Sequence, residues 1–114
     1  MSKFISVVKF KVKIEEESNF IESMQKFKLP DGLVYRKLIK TGDYSYCSII
    51  EWANEQSLAN ARPQMIAFLD TIRSNLIEFN QDIGITDPAS GPVVIDQSGL
   101  VAEPGKTITG KLKV

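Results

Sequence analysis

Apolar and polar residues alternate along the first stretch of the chain, with Phe10, Val12 and Ile14 on one side and Lys9, Lys11 and Lys13 on the other. A period of two is that of a β-strand, and a first strand is predicted over Phe4 to Ile14. The period then changes. Glu15, Glu16 and Glu17 suit the positive end of a helix, and Phe20, Ile21, Met24 and Phe27 follow at helical spacing, predicting a first helix to about Lys28. Leu29-Pro30-Asp31-Gly32 is turn chemistry. Leu33 to Thr41 and Tyr44 to Trp52 are β-rich runs about Gly42-Asp43, the pattern of a tight antiparallel hairpin. Asn54 can cap a short helix over Glu55 to Ala61. Arg62-Pro63 interrupts it, because a residue before proline is pushed out of the α region. Pro63 then opens a longer piece whose stripe of Met65, Phe68, Leu69, Ile72, Leu76 and Phe79 runs to a cap near Gly84. Thr86 to Gly91 is expected to be loop, and Pro92 to Asp96 a short fourth strand.

Strand, helix, strand, strand, helix, strand is the order of the split βαβ sandwich, so the expected class is α+β, ferredoxin-like (βαββαβ). Strands one and three lie antiparallel at its centre, with both helices on one face. The other face carries Ile5, Val7, Cys47 and Ile49, apolar surface that a second copy would cover, so a homodimer is expected. Residues 1–96 form this domain. Residues 97–114 form a tail in which Glu103-Pro104-Gly105-Lys106 is a turn signal, so it is expected to be a small hairpin against the domain or a partner, or else a mobile end.

Composition narrows the chemistry. The 114 residues include 14 basic and 14 acidic side chains, one cysteine and no histidine. The missing histidine excludes zinc fingers, histidine-ligated haem and hydrolases driven by an imidazole base. Cys47 stands alone inside an apolar run, where it is a small buried hydrophobe rather than a reactive thiol. Zero net charge without a dense Lys/Arg cluster argues against nucleic acid and anionic membranes as partners. The apolar stretch Phe4 to Val8 is too short for a signal core or a spanning helix, so a soluble cytoplasmic protein is expected.

The run Ser48 to Trp52, then Asn54 to Ala59 and Met65 to Phe68, resembles the antibiotic biosynthesis monooxygenase (ABM) domain of the dimeric α/β barrel superfamily. Pro30 to Leu33 with Tyr35 and Arg36, and Ile85 to Val94, fit the same pattern, so the resemblance spans residues 4 to 96. It implies a homodimer that oxygenates phenolic or quinol-like aromatics without metal, flavin, haem or other cofactor. The substrate anion itself reduces oxygen, in a cavity between sheet and helices. Many members carry a histidine near the position of Ala61. Asn60-Ala61-Arg62 stands here instead, which disfavours haem degradation.

Within that frame Trp52 is expected to wall an aromatic pocket, or else to anchor the core through its indole. Tyr46 and Tyr35 can position a substrate oxygen, while Arg36 and Arg62 can stabilise a phenolate and Asn60 can bind a carbonyl. Tyr46 and Arg62 are the candidate catalytic residues. Trp52, Tyr35, Asn60, Met65 and Phe68 are the candidate substrate contacts, with Met65, Phe68 and Leu69 equally able to serve as core. Glu51 is expected to pair with Lys9 across the central strands. The leading expectation is a cofactor-independent monooxygenase acting on a small aromatic. A non-catalytic module that holds a small apolar molecule and an isomerase or cyclase of the same fold are the alternatives.

Overall fold

The computed structural model describes residues 3–98. Five strands, β1 (Phe4–Val12), β2 (Leu33–Gly42), β3 (Ser45–Trp52), β4 (Leu76–Ile77) and β5 (Thr86–Pro92), form one antiparallel sheet with β1 and β3 at its centre. Two helices, α1 (Glu17–Gln25) and α2 (Glu55–Ile72), complete the α+β ferredoxin-like fold. β2 pairs with β3, β3 with β1, and the far side of β1 is shared between β5 and the short β4. Register puts Phe4 opposite Trp52, Ser6 opposite Ile50, Val8 opposite Ser48 and Phe10 opposite Tyr46. These positions face the helices.

The core has two parts on that face. Phe10, Val12, Phe20, Met24, Tyr46, Ile72 and Leu76 form one, under α1 and the end of α2; Phe4, Ile50, Trp52, Leu58 and Ala61 form the other, under the start of α2. α1 follows from its pattern: Phe20, Met24 and Phe27 are buried at helical spacing, and Glu15 to Glu17 occupy its entry. α2 starts where the cap is expected, Asn54 Oδ1 accepting from the Ser57 N–H at 2.9 Å.

The structure corrects several sequence expectations. β1 ends at Val12, and Ile14 opens a 3-10 turn as an exposed residue. The hairpin turns on Asp43 and Tyr44 rather than Gly42-Asp43, with a bulge between Lys40 and Gly42 and Tyr44 at φ 57°. α2 runs unbroken through Pro63. Pro63 and Ala59 both lie on the solvent side, where water can satisfy the carbonyl that proline leaves without a partner. α2 does not reach Gly84. After Ile72 a 3-10 turn leads Leu76 and Ile77 into pairing with Val12 and Lys11, and Asn80 Oδ1 accepts from the N–H groups of Asp82 and Ile83 to build the turn at Gly84.

The last strand is also displaced: Thr86 to Pro92 pairs with Phe10 to Phe4, so the expected loop is strand β5, which ends where the expected strand begins. Pro88 and Pro92 are tolerated because β5 is bonded on one side only. Val93 N–H donates to the Lys3 carbonyl at 2.9 Å, which fixes the parity and turns both proline nitrogens away from β1. Glu51 forms an ion pair with Lys3 at 3.7 Å, while Lys9 stands opposite Cys47 and Asp87. The expected Lys9–Glu51 pair does not form because the register sets them four residues apart along the sheet. The expected tail hairpin lies outside the described residues.

Candidate functional site

A cavity of about 510 Å³ lies between α2 and the β1–β5 side of the sheet, within the usual range for small-ligand sites. Ser6, Val8 and Phe10 of β1 form its floor, Leu58, Met65 and Leu69 of α2 its roof, and Thr86, Pro88 and Ser90 of β5 one wall. The strands contribute chiefly alternate residues because those side chains point to the helix side, and Val7 and Ala89 border the cavity between them. α2 contributes residues spaced by three and four because they share one helix face. Arg62 and Ile66 stand at the solvent side of the roof, both exposed. Arg62 and Ser90 also border a second cavity, of about 410 Å³, at the start of α2 beside Asn54, Gln56 and Ala59.

Of the sequence-predicted site residues, the structure brings Arg62 and Met65 to the larger cavity. Trp52 is fully buried one layer behind it, packed in the core with Phe4, Ile50, Leu58 and Ala61. Its indole Nε1–H donates to Ser6 Oγ at 2.9 Å, so it touches the site through that hydroxyl. Phe68 packs against Phe27 with ring centroids 4.8 Å apart and borders a small cleft of about 60 Å³ shared with Arg36. Asn60 is exposed and accepts from Gln56 Nε2 at 2.8 Å.

The two tyrosines point to opposite sides of the sheet. Tyr35 lies on the face without helices, half exposed, with Lys37 Nζ 5.5 Å from its ring centre. Tyr46 is buried on the helix side, away from the larger cavity, and its hydroxyl donates to Glu17 Oε2 at 2.5 Å. That hydrogen bond raises the phenol's pKa and lowers that of the carboxyl. Lys40 Nζ, 3.3 Å from Glu17, adds to the lowering. Arg36 is held by α1: its guanidinium donates to the Met24 carbonyl at 2.8 Å and lies 4.9 Å above the Phe27 ring. It serves the helix end, and burial lowers its pKa.

Ser6, Thr86 and Ser90 are the residues that sequence reasoning missed. Their hydroxyls face the same space as Arg62, and the remaining lining is mainly apolar. Arg62 is the one charged residue lining the cavity among those described. Such a surface can hold an aromatic body and stabilise negative charge on one of its oxygens. Among the described residues no cluster of three or more Cys, Asp or Glu side chains is arranged to hold a metal ion, and no helix is long and apolar enough to cross a membrane.

No protein-family model and no curated protein sequence matches the chain. Solved structures do. The cofactor-independent oxygenase SnoaB from Streptomyces nogalater aligns over 80% of this chain and 92% of its own at 19% identity, with a TM-score of 0.58. A candidate antibiotic biosynthesis monooxygenase from Nitrosomonas europaea aligns over 80% and 89% at 13% identity, with a TM-score of 0.63. A dimeric ferredoxin-like protein from an uncultured marine organism aligns over 84% and 91% at 13% identity, also with a TM-score of 0.63. The chain thus shares the α+β ferredoxin-like protomer fold of these proteins.

Proposed function

We propose that the protein is a cofactor-independent monooxygenase that oxidises a small phenolic or quinol-type aromatic as a homodimer. The observation that carries this reading is the apolar cavity of about 510 Å³ with Arg62 as its cationic lining residue and hydroxyls on its sheet side. Arg62 binds the substrate as its phenolate, and Met65, Leu58 and Leu69 hold the ring. The anion gives one electron to oxygen, and the resulting radical and superoxide join at a ring C–H carbon. The proton released on ionisation returns to the outer peroxide oxygen. Loss of water then takes the ring hydrogen and that oxygen, leaving a quinone that keeps the other oxygen atom. The protein's part is to orient the ring and stabilise charge. Tyr46, Tyr35, Asn60 and Phe68 have no direct contact in this scheme, and Trp52 acts from behind the cavity.

The dimer part rests on the uncovered sheet face. Ile5, Val7, Ile49, Ile39 and Ala89 share it with Tyr35 and Cys47 by register. A second copy laid sheet to sheet removes that apolar surface from water.

Oxygen uptake by metal-free protein with a panel of quinols and hydroxyanthracenes tests the reading. Turnover is expected, and Arg62→Gln should slow it by about 100-fold, the usual effect of removing one donor to a developing oxyanion. Absence of uptake with every member of the panel sinks it. The cavity lining favours a second reading: its described residues include no carboxylate, tyrosine or lysine to move a proton. That disfavours an isomerase or cyclase and leaves a non-catalytic ligand-holding module, which would bind the aromatics without oxygen uptake.

A further inference from the structure

Ser6 lies at one end of the cavity floor, 5% exposed, on the strand that Trp52 pairs beside. An indole N–H can only donate, so in the 2.9 Å contact with Trp52 the Ser6 oxygen is the acceptor. The hydroxyl hydrogen is left to donate elsewhere, and among the described residues no protein group accepts it. Accepting one hydrogen bond strengthens a hydroxyl as donor of the next. Ser90 stands directly opposite Ser6 on β5, at a ladder position whose backbone nitrogens point away from each other. Side chains at such positions stand about 4.5–5.5 Å apart, close enough for both hydroxyls to reach one ligand oxygen.

We infer that Ser6 is the buried donor that binds the substrate's anionic oxygen, with Ser90 beside it and Trp52 as the positioning residue that orients and polarises it. This rests on the cavity reading above, and names the ligand class more closely: a flat apolar body bearing a phenolate or enolate oxygen. The anionic form is preferred over its neutral ether because Ser6, Ser90 and Arg62 all present donors to the cavity.

The test is equilibrium binding, with oxygen uptake left out of the readout. The probes are 4-nitro-1-naphthol, whose colour reports its ionisation, and its methyl ether. The unaltered protein should bind the naphtholate more tightly than the ether and lower the probe's apparent pKa on binding. Ser6→Ala should weaken naphtholate binding by about tenfold or more, the size expected for a hydrogen bond to a charged group, return the bound pKa toward that of the free probe and leave ether affinity unchanged. Ser6→Cys keeps the side-chain shape with a somewhat larger atom and offers only a weak donor, so it should show the same selective loss should Ser6→Ala fail to fold. Equal loss for both probes, no change for either, or no binding by the unaltered protein overturns the inference. Selective binding without oxygen uptake in the separate assay would fail the oxygenase reading and leave this one standing.

Discussion

Tyr46 on β3 and Glu17 at the first turn of α1 are joined by a hydrogen bond of 2.5 Å that ties the helix entry to the sheet. Lys40 on β2 completes the cluster, 3.3 Å from the same carboxylate oxygen. Three elements therefore meet at one ionised group outside the larger cavity.

The pH dependence of this cluster follows from two opposite shifts. The Glu17 pKa is lowered in the fold, chiefly by the Tyr46 hydroxyl, so its contribution is present above the ordinary value of 4.5 and is lost as pH falls through the lowered one. The Tyr46 pKa is raised, chiefly by Glu17, so its contribution is present below the ordinary value of 10.0 and is lost as pH rises through the raised one. Urea unfolding from acid to alkaline pH checks both. Glu17→Gln and Tyr46→Phe should each lower stability at neutral pH. The first difference should close in acid and the second in alkali, and the two should not add because they remove one interaction.

Gly32 carries a steric constraint as well as a conformational one. Its φ is +83°, and a Cβ there would overlap Ser57 Oγ and lie 2.5 Å from the Ser57 Cβ at the start of α2. The hydroxyl can rotate away but the Cβ cannot. Gly32→Ala is expected to cost about 1–2 kcal/mol for the left-handed backbone alone, with the clash added. In a double-mutant cycle with Ser57→Gly, measured by chemical denaturation, the clash component should disappear and the backbone component remain.

Pro63 lies inside an unbroken helix. Pro63→Ala should restore a hydrogen bond to the Ala59 carbonyl and stabilise the protein by up to about 3 kcal/mol, the interior penalty of proline. A higher unfolding midpoint with unchanged helical circular dichroism is the expected result. A loss of stability would mean that the proline sets a bend on which the packing of Leu58 and Met65 depends.

The proposed dimer is tested at Ile49, on the uncovered face opposite Val7 and Lys37. Ile49→Lys should convert a sedimenting dimer to a monomer at micromolar concentration while the circular dichroism of the protomer stays the same. A monomer in the unaltered protein would remove the argument altogether.

How much of this was legible in the chain depended on how local each signal is. Phe20, Met24 and Phe27 report α1 because their burial follows helical spacing, and the Asn54 cap is completed three residues away. β5 was unreadable from its own residues, since Asp87, Pro88 and Gly91 carry loop chemistry. It is a strand because β1, about eighty residues earlier, offers it a ladder. Leu76 was misleading in the same way: its apolar side chain continues the helical stripe, yet it is buried as a strand residue beside Val12. The site divides likewise. Arg62 and Met65 follow from the pattern of α2, but Ser6 and Ser90 are ordinary serines until the register sets them face to face. Trp52 drew attention as a rare aromatic, and its place in the core was settled by Ser6, forty-six positions away.

The prolines of β5 bear on how this protein can associate. Residues 86, 88, 90 and 92 turn their backbones toward the open edge, and two of those four have no N–H to give. A strand arriving from another molecule meets a broken row of donors there, which makes this border a poor template for sheet extension. The cavity wall is thus also a guard against fibre-like growth, and it leaves the broad face of Ile5, Val7 and Ile49 to the proposed dimer, in which assembly would close after two molecules.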